Sequence, residues 1–288
     1  MRCELSTPAP ARLGAVVEEL ASWQRDGVPV QLHSGDLGWH WRFGATTLAD
    51  ALRVWTVDGT TLAIGFLDTD SLIRMALAPA ADDDERLAHV VVRDLEDPAR
   101  GVLDGKQVAV EARFGSALRS LLHSRGWVDD DPWTPLVRDL TDPVEDSGLR
   151  VEVVGADHVD NRVAVQRSAF ERSTFTAERW TEMAQAPAYA DARCLVGYDD
   201  RGTAVAAVTV WSAGPGRPGL LEPMGVHRDH RGHGYGTGIC RAAAATLRDL
   251  GASTAVVATS SSNQAAVATY ASAGYRRLPD VTDFAFTR

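Results

Sequence analysis

Two stretches of this 288-residue chain repeat one pattern 148 positions apart, and that repeat limits the folds open to it more than any other feature. "VAVEARFGSALRSLLHSRGW" ends at Trp127, and "VVATSSSNQAAVATYASAGY" ends at Tyr275. Each reads as a strand, a polar turn, a helix closed by glycine, and an aromatic. Gly126 and Gly274 keep the offset, as do Val108 and Val256. "LIRMALA" (Leu72–Ala78) and "LLEPMGV" (Leu220–Val226) keep it without a gap. A hairpin pattern precedes them in each half, "RVWTVDGTTLAIGFL" and "CLVGYDDRGTAVAAVTVW", with an Asp- and Gly-bearing turn between alternating runs. The length is comfortable for two domains. "TDPVEDSGL", Thr141–Leu149, has turn formers and no apolar period, and reads as the linker.

The second half is the more legible. "LRVEVV" reads as a strand, "DHVDNRVAVQRSAF" and "TAERWTEMAQ" as helices, and "GLLEPMGV" as a further strand. "GTGICRAAAATLRDLG" and "NQAAVATYASAG" read as helices stopped by Gly251 and Gly274, "STAVVAT" as the strand between them, and "FAFTR" as a last strand. The sum is a mixed sheet with helices on its faces.

Composition narrows the class. A 45% apolar and 24% charged content is ordinary for a globular protein. No run of about 18 apolar residues is present, so no membrane association is expected. "MRCELSTPAPARLG" lacks the apolar core of a signal peptide, and Cys3, Cys194 and Cys240 are scattered without metal or redox spacing. A reducing cytoplasm and no metal are the expectations. A formal charge of -10 argues against nucleic acid, and fits either a cationic small-molecule partner or plain solubility.

Ahead of the alanine-rich helix stands "VHRDHRGHGYGTG", with glycines at 232, 234, 236 and 238. A helix N-terminus offers unpaired N–H groups and about half a positive charge. Alternate glycines leave those donors open to an anion, and Arg231 adds a planar cation suited to phosphate. The stretch therefore reads as a pyrophosphate cradle. It has no lysine, so it is no Walker A loop. The dinucleotide GxGxxG pattern fails at Thr237 or at Ile239.

Arg231-Gly232-His233-Gly234-Tyr235-Gly236 instead resembles the R/Q-x-x-G-x-G/A coenzyme A loop of the GNAT superfamily of N-acetyltransferases. "NQAAVATYASAGY" resembles that family's Asn-x-x-A-x-x-x-Y-x-x-x-G-aromatic segment, and "LLEPMGVHRDHRG" its preceding strand and turn. The likeness covers about Arg150 to the C-terminus. In the first half "PAADDDERLAHVVV" stands in the loop's place, with Asp82, Asp83, Asp84 and Glu85 where phosphates would lie. The resemblance thus implies an α/β (α+β) protein of two GNAT-like domains, each a mixed, mostly antiparallel sheet flanked by helices. Residues 1–140 would be a degenerate domain, 141–149 the linker, and 150–288 the catalytic domain.

By the same resemblance acetyl-CoA is the acyl donor. Arg231 to Thr237 would hold its pyrophosphate, and backbone groups of Met224 and Val226 would pair with its pantetheine arm, with Gly225 between them marking a bulge. Asn263 would bond that arm, cap its helix, or both. Tyr270 would protonate the leaving thiolate. Glu222 is a candidate base, directly or through water, and equally a solvated strand residue. His227, His230 and His233 flank the loop without metal spacing, and each could simply sit in solvent. Phe170, Glu171, Phe175 and Trp180 could hold a cationic amine or be ordinary packing. The expected activity is transfer of acetyl to a primary amine of a small molecule, in a ternary complex, by a monomer or homodimer. A mycothiol-synthase-like acceptor, a protein amine, and a non-catalytic acyl-CoA sensor are the alternatives.

Overall fold

The computed structural model describes residues 3–288. Along the chain run β1 (Cys3–Ser6), α1 (Leu13–Ser22), α2 (Ser34–His40), α3 (Ala45–Ala51), β2 (Leu52–Val57), β3 (Thr60–Thr69) and β4 (Leu72–Leu77). Then come α4 (Glu85–Glu96), β5 (Gln107–Glu111), α5 (Ser116–Ser124), β6 (Val128–Asp139), β7 (Arg150–Val153), α6 (Val159–Ala169) and α7 (Ala177–Met183). The remainder is β8 (Ala192–Tyr198), β9 (Ala204–Ser212), β10 (Gly219–Val226), α8 (Tyr235–Asp249), β11 (Thr254–Ser260), α9 (Gln264–Ser272), β12 (Arg276–Arg277) and β13 (Val281–Thr287). The chain divides into two units. One holds residues up to His33, Ala45–Trp133 and Asp280–Arg288; the other holds Ser34–Gly44 and Thr134–Pro279.

In the first unit the strand order is β1-β2-β3-β4-β5-β13-β6, antiparallel except for the parallel β4–β5 pair. The β2–β3 turn is Asp58-Gly59, with φ of 47° and 85°. Positive φ at both central positions is what a two-residue hairpin with right-handed twist demands. The last strand was expected in the second half and lies here instead. Phe284 of β13 pairs with Val110 on one side and Asp129 on the other, and its ring is fully buried.

In the second unit the order is β6-β11-β10-β9-β8-β7, with β12 beside β6. The β7–β8, β8–β9 and β9–β10 pairs are antiparallel, and β10–β11 is parallel. Helix α8 puts Ile239, Cys240, Ala243, Ala244 and Leu247 into the core, a stripe at helical spacing. Burying Ile239 and Leu247 contributes about 1.5–3 kcal/mol each. The segment 141–149 forms no helix or strand, yet Val144 and Leu149 pack on this core.

Helix α2 joins the second unit although in sequence it lies between β1 and β2 of the first. It does so through absent side chains: a Cβ on Gly35 would lie 2.5 Å from the Trp211 Cβ, and one on Gly38 would lie 2.3 Å from its Cζ3. Trp211, itself fully buried, is pinned from the other side by donating Nε1–H to the Glu222 carbonyl at 2.7 Å. Gly38→Leu is therefore expected to unseat α2 and lower stability by about 1–3 kcal/mol, the usual cost of overpacking. Thermal denaturation checks this; an unchanged midpoint would show that α2 yields without loss.

Candidate active site

The glycine loop lies between a short 3-10 turn, Arg228–His230, and the first turn of α8. Its four glycines divide into two pairs. Gly232 (φ 80°) and Gly234 (φ 82°) adopt the left-handed conformation and face open space where a Cβ would be. Gly236 and Gly238 are close-approach residues. A Cβ on Gly236 would meet Thr269 Cγ2 at 2.8 Å and Val226 Cγ2 at 3.4 Å; one on Gly238 would meet the Ser147 carbonyl at 2.5 Å. Only the first pair keeps the helix mouth bare, and the second lets β10, α9 and the 141–149 segment pack on α8. No side chain caps the N-terminus of α8. Its first N–H groups, over Tyr235, Gly236 and Thr237, are thus available to an anion.

Two arginines tie the loop to the C-terminal end of α6. Arg228 Nε donates to Ser168 O at 3.1 Å, and Arg231 Nη2 to Ala169 O at 3.0 Å. Cations there complement the helix C-terminus. Arg231 thus anchors the loop with one nitrogen while its side chain stays exposed. The histidines are spread around the turn. The His227 ring accepts from Asp229 N–H, His233 bonds the Arg231 carbonyl and stacks on Tyr235, and His227 lies 5.2 Å from His230, ring to ring.

Strand β10 enters the loop with one edge opening. Its parallel ladder to β11 consists of Gly219–Ala255 and Leu220–Val256, and stops there. Against β9 the register shifts between Leu221 and Met224, so the irregularity falls on Glu222-Pro223. The bulge expected at Gly225 is therefore two to three residues earlier, where proline has no N–H to ladder. Gly225 has a packing role instead: a Cβ would sit 2.6 Å from Ala169 Cβ and 3.0 Å from the Phe170 ring. Met224 and Val226 are half-buried and pack against the core.

Asn263 caps α9, its Oδ1 accepting from Ala266 N–H at 3.2 Å. One side of that helix delivers Tyr270, 6% exposed, with its ring 5.8 Å from Tyr275. Burial first, then Cys240, then the Glu222 carboxylate push the Tyr270 hydroxyl well above the usual tyrosine range. A phenol so placed keeps its proton until a stronger base forms beside it.

Glu222 and Pro223 line a cleft of about 600 Å³ whose other wall is α6 and the segment after it. Phe170, Glu171 and Phe175 line it, whereas Trp180 does not: Trp180 packs against Tyr189, with ring centroids 6.5 Å apart. Residues that sequence reading missed are Gln166, Arg172, Trp39 and Arg42. The last two come from α2 and the turn after it. Trp39 lies 5.3 Å from Phe175, and Arg42 sits over the Trp39 ring at 4.0 Å. An aromatic cluster beside that helix was the only available signal.

In the first unit the corresponding places are filled. Asp84 caps α4, its Oδ1 accepting from Arg86 N–H (3.0 Å) and Leu87 N–H (2.9 Å). Asp82 Oδ1 accepts from Ser116 N–H at 3.1 Å. The anion at this helix mouth is the chain's own carboxylate. Strands β4 and β5 stay paired through Arg74–Glu111, and their side chains form an ion pair at 3.0 Å, joined by Arg113 at 3.3 Å from Glu111. Burial alone would raise the Glu111 pKa, but the two arginines outweigh it and hold it below the usual range. Arg74 stands 148 positions before Glu222, so a strand-closing residue occupies the repeat position of a cleft-lining one.

Residues 162–275 match the model of the acetyltransferase (GNAT) family. The second unit carries a GNAT-family domain. Solved structures extend the likeness of fold to the whole chain. A GCN5-related N-acetyltransferase from Sphaerobacter thermophilus superposes with TM-score 0.58 at 19% identity, over 99% of this chain and 95% of that one. A GNAT-family acetyltransferase from Colwellia psychrerythraea gives 0.61 at 14% identity, over 100% of both chains. A tandem GNAT protein from the clavulanic acid biosynthesis pathway gives 0.51 at 13% identity, over 99% and 98%. No curated protein matches by sequence. The first unit is thus GNAT-like in fold, and the expected fold class and tandem arrangement hold.

Proposed function

We propose that the protein transfers an acetyl group from acetyl-CoA to the primary amine of a small molecule, and that the second unit does so alone. The observation that carries this is the convergence of three features in one unit: a bare helix mouth at Gly232 and Gly234, an open edge of β10 beyond Leu220, and a buried Tyr270 on α9 with Glu222 on the β10 wall of the cleft. The α8 N–H groups and Arg231 would hold the pyrophosphate. The freed edge of β10, at Met224 to Val226, would pair with the pantetheine arm as an added strand. Acetyl-CoA supplies the activated thioester.

An alkyl amine has a pKa near 10 and attacks only when neutral, so a proton must leave it near pH 7. Glu222, directly or through water, takes that proton. The amine nitrogen bonds to the acetyl carbon, the carbon–sulfur bond breaks, Tyr270 O–H gives its proton to the departing sulfur, and the surplus proton on the new amide nitrogen restores the phenol, directly or through water. The first unit, with Asp84 in its helix mouth and β4–β5 zipped by Arg74–Glu111, holds no acetyl-CoA in this reading.

A screen of primary amines with detection of free thiol from acetyl-CoA is the test. Amine-dependent thiol release with mass-spectrometric gain of one acetyl group on the amine is expected. Tight coenzyme A binding with no amine-dependent release across aliphatic, aromatic, sugar and peptide amines would replace transfer by acyl-CoA sensing.

A further inference from the structure

Under the cleft lies an arginine with no counter-ion. Arg162 of α6 is fully buried and makes no ion pair with any described carboxylate. Its Nε donates to Cys194 Sγ at 3.2 Å, its Nη1 donates to Gln166 Oε1 at 2.7 Å, and its Nη2 has no partner among the described residues. The guanidinium also lies 5.1 Å from the Phe175 ring. A buried charge left this way is costly unless something with opposite charge or a lone pair completes it.

The bond to Gln166 settles the orientation of that amide. Arginine has donors only, so the glutamine oxygen must face it and the glutamine nitrogen must face away. Arg162 and Gln166 are one helical turn apart, which fixes the pair on one side of α6. Gln166 is 5% exposed and lines the cleft, and its Nε2 makes no hydrogen bond with any described residue. The cleft is therefore offered two N–H donors, backed by a buried positive charge, that only an acceptor oxygen can satisfy. Arg172 and Arg42 line the same cleft, and Glu222 stands on its β10 wall.

Resting on the acetyl-transfer reading of this cleft, we propose that the acceptor is a carboxylate-bearing amine of amino-acid type, whose carboxylate takes the Gln166 N–H donors backed by Arg162 while its amine faces Glu222. The rings of Trp39, Phe170 and Phe175 favour an apolar or aromatic body between the two ends. Arg162 is a positioning residue here, acting through Gln166.

The experiment uses matched pairs differing in one carboxylate: phenylalanine with phenethylamine, leucine with isoamylamine, ornithine with putrescine. The kcat/KM for acetylation is expected to favour the carboxylated member by about tenfold or more, the scale of losing one charge-assisted hydrogen bond. Gln166→Glu keeps a partner for Arg162 and so keeps the fold, but aims a negative charge at the substrate carboxylate. It should erase or reverse the preference, chiefly through KM, with coenzyme A affinity within about twofold. Gln166→Leu should lower the preference without reversing it. Equal or faster turnover of the decarboxylated members, or a preference untouched by both variants, overturns the proposal and leaves acetyl transfer standing. No turnover in either arm also overturns it, and acetyl transfer is then judged separately by thiol release with sugar and peptide amines.

Discussion

Tyr270→Phe is expected to lower kcat by about 10²- to 10³-fold, the range of a lost general acid, with coenzyme A affinity unchanged. Phenylalanine preserves the buried ring and its edge contact with Tyr275, so the variant removes one O–H and little else. The pH profile should carry a second signature. Burial, Cys240 and Glu222 all raise the Tyr270 pKa, so the proton-donating form persists through pH 10. Activity should then rise with pH as the acceptor amine loses its proton, without an alkaline fall set by this tyrosine below about pH 10. Single-turnover kinetics with the best amine would measure both. A Tyr270→Phe enzyme within twofold of the parent would remove Tyr270 from the chemistry.

Gly234→Glu is expected to weaken coenzyme A binding by at least about 100-fold, from two effects that can be separated. Any side chain at φ 82° carries backbone strain of about 1–2 kcal/mol, which Gly234→Ala would report alone. The glutamate then adds a carboxylate to the mouth of α8, where it competes for the N–H groups and repels pyrophosphate. That second part should shrink with added salt, whereas the strain should not. Calorimetry of coenzyme A against the two variants decides it, and unchanged affinity for Gly234→Glu would place the phosphates elsewhere. The first unit already contains the outcome of such a change: Asp84 occupies the donors at the head of α4.

The legible parts of this chain were those where a side chain acts on its immediate neighbours. The glycine stops at Gly251 and Gly274, the Asp58-Gly59 turn and the Asn263 cap all follow from local backbone needs. The bare head of α8 was readable for the same reason, although Gly236 and Gly238 proved to answer to packing partners that no local pattern reveals. Longer-range features were not readable. Helix α2 contains Gly35 and Gly38, poor helix formers whose purpose is the face of Trp211, more than 170 residues away in sequence. Strand β6 carries Pro132 and Pro135, which argue against a strand until its neighbours are known. Trp39 and Arg42 reach the cleft by way of α2, so they went unread with it. Gln166 went unread because its meaning lies in the buried Arg162 one turn before it.

The place of β13 has a consequence for how the molecule is made. The first unit needs a strand between β5 and β6, and residues 281–287 supply it. During synthesis the amino-terminal half therefore emerges with a gap between β5 and β6 of its sheet. It must wait, with strand edges exposed, until nearly the whole second unit has been translated. The second unit has its early segment, α2, in hand from the start and can close first. Completion of the first unit thus waits on the last residues translated, and no single cut between residues 141 and 149 yields two complete halves.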